Sequence, residues 1–168
     1  MAKNIICATL FIIVAGILQS TLFSHLRPLI HASPDITLCI LVYSAYLNGA
    51  MTGQLTGFFS GVILDFLSAA PLGLNIFVRT IVGAGCGVLR GMFFLDRFFL
   101  PLALCAGATI FKAFILFLLN FLFAGAISAY SFTTPLLWIE VLVNALSAPF
   151  VFAFLKSFST LLVNQQEP

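Results

Sequence analysis

No Lys, Arg, Asp or Glu occurs between Asp35 and Asp65, between Lys112 and Glu140, or between Glu140 and Lys156. A water-facing surface needs polar cover, and soluble domains carry roughly 25% charged residues. Here charged residues make up 7% of the chain against 62% hydrophobic residues, and the mean hydropathy is +1.19. A chain of 168 residues built this way cannot coat a soluble fold. At about 20 apolar residues per crossing it has room for six or seven membrane spans with short connections. The fold class expected is therefore an all-α polytopic membrane protein, one transmembrane domain over residues 1–168. The formal net charge of +2 is dispersed and forms no basic stripe for nucleic acid. Cys7, Cys39, Cys86 and Cys105 each sit inside an apolar run without CxxC spacing, so they read as small buried hydrophobes rather than as a disulfide framework or zinc site.

Prolines, glycines and the few charges divide the chain into six apolar segments, at about 4–23, 34–49, 50–68, 72–90, 98–124 and 135–158. The first imitates a signal peptide, but Ile17-Leu18-Gln19-Ser20-Thr21-Leu22 is a poor cleavage site, so it reads as a retained span. Between the first two, His25, Arg27 and His31 mix with Leu and Ile in a segment suited to the headgroup region. The second span opens at Ser33-Pro34-Asp35, where Ser can cap, Pro can take the first helical position and Asp meets the positive end of the helix dipole. Pro149 is expected to kink the sixth span, and the tail from Asn164 to Pro168 is polar. Cytoplasmic loops hold the excess of Lys and Arg. With both termini cytoplasmic, Lys3, Arg90, Arg97 and Lys156 lie inside and Arg27 alone lies outside. Six spans with both ends inside is the expected topology.

Two glycine stripes mark the centre of the chain. Gly53, Gly57 and Gly61 recur every four residues in the third span and the next step lands on Asp65; in the fourth span Arg79 comes first, followed by Gly83, Gly87 and Gly91. A step of four drifts by only about 40° round a helix, so each stripe forms one gently winding face. Glycine there lets two backbones approach, a chief source of helix association in lipid. The short turn Ala69-Ala70-Pro71-Leu72-Gly73 makes the two helices antiparallel neighbours. Asp65 lies about 5 Å from the end of its span and Arg79 about 10 Å into the next, so the two charges are expected to pair and latch the hairpin.

Lys112 and Glu140 form a second possible pair, which needs the lysine to snorkel upward. With both pairs formed the intramembrane charges sum to zero. Asn144 and Ala148 follow Glu140 in a polar or small stripe that should face other helices. Buried acids and bases also mark ion pathways. These acids, however, are solitary and near one membrane side, which favours structural ion pairs over a relay. No GxSG nucleophile with a partnered histidine, no GxGD pair and no HExxH occurs, and His25 and His31 are a weak metal spacing, so neither an enzyme nor a metal or cofactor site is expected. Among the 20 phenylalanines, the doublets Phe58-Phe59, Phe93-Phe94 and Phe98-Phe99 should include lipid-facing or partner-facing residues.

The stretch from Pro34 to Gly91 resembles the rod shape-determining protein MreD family. The shared order is a Pro34-Asp35 opening, a glycine-rich third span with Gly57 and Gly61 ending in Leu64-Asp65, the turn Pro71-Leu72-Gly73, and a span with a glycine-rich end. Arg79 and Lys112 match no family position. The resemblance implies a non-catalytic component of the bacterial inner membrane in the cell-elongation machinery. It implies docking to the MreC periplasmic scaffold and, through it, to RodA and a penicillin-binding transpeptidase, with the MreB filament reached indirectly. It also implies a fold similar to the substrate-binding subunits of energy-coupling-factor transporters. The rival from another class is such a small-molecule, vitamin-type binding subunit, or a relay built from the four charges. Short, weakly polar loops at 69–73 and 125–133 favour a helix-docking scaffold over a capture device.

Overall fold

The computed structural model describes residues 2–26, 34–68, 70–92, 98–123 and 135–162, with the backbone alone at 2–3, 22–26 and 160–161. Arg27, His31, Asp96, Arg97, Phe93, Phe94, the segment 125–133 and the tail, together with the side chains of Lys3 and His25, lie outside the described residues. The described residues form helices and no strand: α1 (Ala2–Leu26), α2 (Ile36–Asn48), α3 (Ala50–Leu67), α4 (Leu74–Val88), α5 (Phe99–Leu122), α6 (Pro135–Lys156) and the single turn α7 (Ser159–Leu162). Four of them, α1, α3, α5 and α6, are long and apolar enough to cross a membrane. The chain is a helical, multi-pass membrane protein.

The shortest of the six main helices is the central one. α2 packs against α1, α3, α4, α5 and α6, and every residue from Thr37 to Ala45 is buried. Around it run α1, α3, α4, α5 and α6, each touching the next, and α7 closes the ring between α6 and α1. Thirteen residues span only about 20 Å, short of a hydrocarbon core of about 30 Å. A helix sheathed by protein need not match the bilayer, and the N-terminus of α2 therefore lies among its neighbours' side chains.

Its ends are set by local chemistry. Asp35 is the N-cap: its carboxylate accepts from the Leu38 N–H at 3.0 Å and from the Thr37 hydroxyl at 2.7 Å. Pro34 stands before the cap rather than in the first helical position, because the cap falls on the acid and not on Ser33. At the other end Gly49, with φ of 91°, both ends α2 and opens α3, a backbone angle that L side chains rarely adopt. Asn48, in the last turn of α2, ties this end together, accepting from the Asn4 side chain at 3.1 Å and donating to the Leu162 carbonyl at 2.7 Å. α6 runs unbroken through Pro149.

The most extensive contact joins α3 and α4. A methyl group at Gly53 would fall on the Gly83 carbonyl, one at Gly57 on the Arg79 carbonyl, one at Gly61 within 2.8 Å of the Asn75 carbonyl, and one at Gly87 against the Ala50 backbone. Backbone lies on backbone along this seam. Gly91 is not part of it. α4 ends at Val88, so Gly91 falls in the following turn, where its φ is 73° and nothing lies within 4 Å of a Cβ position. The fourth member of that stripe serves backbone geometry rather than packing.

Candidate functional site

Four charged side chains meet round the N-terminus of α2, each delivered by a different element. Arg79 comes from the second turn of α4, Asp35 from the cap of α2, Lys112 from the middle of α5 and Glu140 from the second turn of α6. The Arg79 Nη2 lies 3.2 Å from Asp35 Oδ1 and donates also to the Thr37 hydroxyl at 2.7 Å. The Lys112 Nζ lies 2.9 Å from Asp35 Oδ2 and 3.0 Å from Glu140 Oε1. The result is one chain of alternating sign, Arg79, Asp35, Lys112, Glu140, with no net charge.

A ring of neutral donors and acceptors completes it. Asn144, one turn beyond Glu140 on the same face, accepts from the Asp35 backbone N–H at 2.6 Å and donates to the Thr109 hydroxyl at 3.0 Å. Thr109 in turn donates to the Cys105 carbonyl at 2.8 Å. Ala148, a further turn along α6, is fully buried. One polar atom is left over: Arg79 Nη1 is buried without a hydrogen-bond partner among the described residues. Side-chain exposure across the chain runs from 8% at Arg79 to 19% at Lys112. In that setting each ion is far costlier alone than paired, which is why one carboxylate draws two cations.

The expected pairing of Asp65 with Arg79 is not what forms. Asp65 is buried, but its oxygens accept from the backbone N–H groups of Gly73 at 2.8 Å, Asn75 at 3.0 Å and Ile76 at 3.3 Å, and from the Asn75 side chain at 2.9 Å. These amides are the unsatisfied donors at the start of α4, where the helix dipole is positive. Asp65 thus caps the following helix from the end of the preceding one. Arg79 is left to turn towards Asp35. The residues that the pairing overlooked are Asn75, Thr37 and Thr109, and only their polarity inside an apolar segment flagged them.

Around Asp65 the turn has a defined shape. Gly73 adopts φ of 93° directly before α4, and its amide donates to the Asp65 carboxylate. Leu72 beside it is 76% exposed, and Pro71 is exposed as well. Both fit a reversal at the bundle end. The free cysteines Cys39, Cys86 and Cys105 are buried and Cys7 is half-buried. Among the described residues no cluster of His, Cys, Asp and Glu could hold a metal ion.

All four network charges point inward. The outer surface, by contrast, carries Leu10, Val14, Phe58, Phe114, Phe121, Trp138, Leu142 and Phe154, all exposed. Such a surface can meet only lipid tails or other transmembrane helices. Compared with known protein families, residues 2–158 match the family described as rod shape-determining protein MreD. No curated protein and no solved structure matches the chain.

Proposed function

The chain belongs to the rod shape-determining protein MreD family, and from that membership we propose that it is a non-catalytic docking component of the cell-elongation complex that engages an MreC-like periplasmic scaffold by helix packing. As a family member it is a rod-shape-determining component of the bacterial inner membrane. The observation that supports docking by packing is the division of the surface: the four network charges are spent on one another, and the exposed side of the ring is apolar. Recognition by such a face depends on shape and on van der Waals contact between helices, the terms that drive association in lipid.

In this proposal RodA and the penicillin-binding transpeptidase are reached through the scaffold, and the MreB filament lies on the cytoplasmic side. α2 inside the ring and α4 within it, 15 residues or fewer each, complete six crossings, with both termini cytoplasmic. The buried network acts as a latch that fixes four helices, and with them the outer face. Affinity purification of the full chain from rod-shaped cells tests this. A single-span periplasmic scaffold should copurify, and depletion of the chain should make the rods round. A copurified small molecule with no protein partner would instead favour a vitamin-type binding subunit and end the docking proposal.

A further inference from the structure

At the end of the bundle where α1 starts and α7 lies, a groove of about 920 Å³ opens between the second half of α2, the start of α5 and the second half of α6. Its volume is in the range of small-molecule sites, about 300–1,000 Å³. The wall is mostly apolar: Leu47, Leu100, Pro101, Pro149, Phe150 and Phe152 contribute to it beside the rings of Tyr43 and Tyr46, and the two prolines bring no N–H donors. No acid lines it. Where α6 ends, the rim turns polar and cationic, with Lys156, Ser157 and Ser159. Lys156 is exposed and forms no ion pair among the described residues. From Pro149 to Lys156 the apolar floor extends about 10 Å along the helix.

An apolar trough of this length that ends in one free ammonium and two hydroxyls is complementary to a molecule with a hydrocarbon tail joined to an anionic head. We propose that the groove binds one acyl chain of an anionic glycerophospholipid, with the phosphate diester on Lys156 and the Ser157 and Ser159 hydroxyls donating to its oxygens. The surrounding leaflet supplies such a ligand directly. Lys156, at the end of its helix, is placed to snorkel to headgroup depth while its stem lies along the tail. Placing the termini in the cytoplasm makes this an inner-leaflet site. The lipid site itself depends only on the chain being in a membrane, so it stands or falls separately from scaffold docking.

Native mass spectrometry of the full-length chain, incubated in detergent with phosphatidylglycerol or with phosphatidylcholine, reads the site out. One phosphatidylglycerol should be retained at a several-fold lower lipid concentration than phosphatidylcholine. Lys156→Gln, an exposed change that does not threaten the fold, should remove that preference. Ala153→Trp, which fills the trough, should reduce retention of both lipids. Equal retention of the two lipids by the unmodified chain, or a preference that survives Lys156→Gln, overturns the proposal. So does a photo-crosslinker at Ala153 that captures a protein in cell membranes instead of lipid.

Discussion

The two buried aspartates, Asp35 and Asp65, lie at the same end of the bundle and are stabilised by opposite means. Asp35 gathers mainly side chains, two cations and a hydroxyl, with one backbone amide of its own helix. Asp65 gathers backbone: three amides at the start of α4, plus the Asn75 side chain. The first links four helices that are far apart in sequence, while the second closes a local turn. An acid inside an apolar segment therefore does not imply a base beside it. The amides at a helix start, together with its dipole, are an adequate partner, and they leave any nearby arginine free to go elsewhere.

The largest expected effect follows from removing the first of these. Asp35→Ala leaves Arg79 with no carboxylate while Lys112 keeps Glu140, so an uncompensated charge stays buried at a cost of about 3–5 kcal/mol. Thermal unfolding in detergent should show a large drop in midpoint, or the chain should fail to accumulate. Stability equal to the unmodified chain would mean that the network is not what holds α2 in the ring.

Next in size is the seam that separates the two aspartates. A methyl group at Gly57 falls on the Arg79 carbonyl, so α3 and α4 must move apart, which would shift Arg79 and the Asp65 cap together. Overpacking of this kind costs about 1–3 kcal/mol. Gly91→Ala meets no neighbour and is strained only by its positive φ, about 1–2 kcal/mol. Unfolding midpoints of the two alanine variants should differ in that order. If Gly91→Ala proves the more damaging, the turn after α4 matters more than the seam.

A smaller effect is expected at Asp65. Asp65→Ala removes a cap, a change worth about 0.5–2 kcal/mol. Asp65→Asn keeps one acceptor oxygen and loses mainly the charge–dipole attraction, about 0.3–1 kcal/mol. Exchanging the two residues, Asp65→Arg with Arg79→Asp, should be worse than either single change, because neither new residue meets its old partners. Rescue by that exchange would restore the direct pair that the geometry disfavours.

The same contrast explains what a sequence can and cannot disclose here. Glycine at every fourth position is legible because close backbone approach demands that residue at that spacing, and Gly53, Gly57, Gly83 and Gly87 lie on the seam accordingly. Gly91 fits the spacing yet not the helix, since a four-residue step continues to count after the helix has ended. Lys112 and Glu140 were the last acid and base left inside apolar segments, and the structure places them 3.0 Å apart. Capping is local, so the helix start at 33–35 is readable, although the cap is not Ser33 but Asp35. The cations of Asp35 come from residues 44 and 77 positions away, and no local pattern encodes which helices α2 will stand between. Spacing pairs Asp65 with Arg79 because backbone amides, its actual partners, have no letter of their own.

The smallest effect is expected where the network can be shortened without unbalancing it. Lys112 and Glu140 are the outer half of the alternating chain, and removing both leaves Asp35 with Arg79, still a neutral pair. Replacing a buried ion pair by apolar residues of similar volume is often neutral or stabilising. Lys112→Met with Glu140→Met should accordingly fall within about 1 kcal/mol of the parent, while each single change costs several-fold more, because each leaves a charge behind. The double-mutant cycle, read from unfolding midpoints, should therefore give a coupling nearly as large as the single effects. Additive effects would mean that Lys112 is held mainly by Asp35, and that Asp35 alone, rather than a chain of four charges, is the latch.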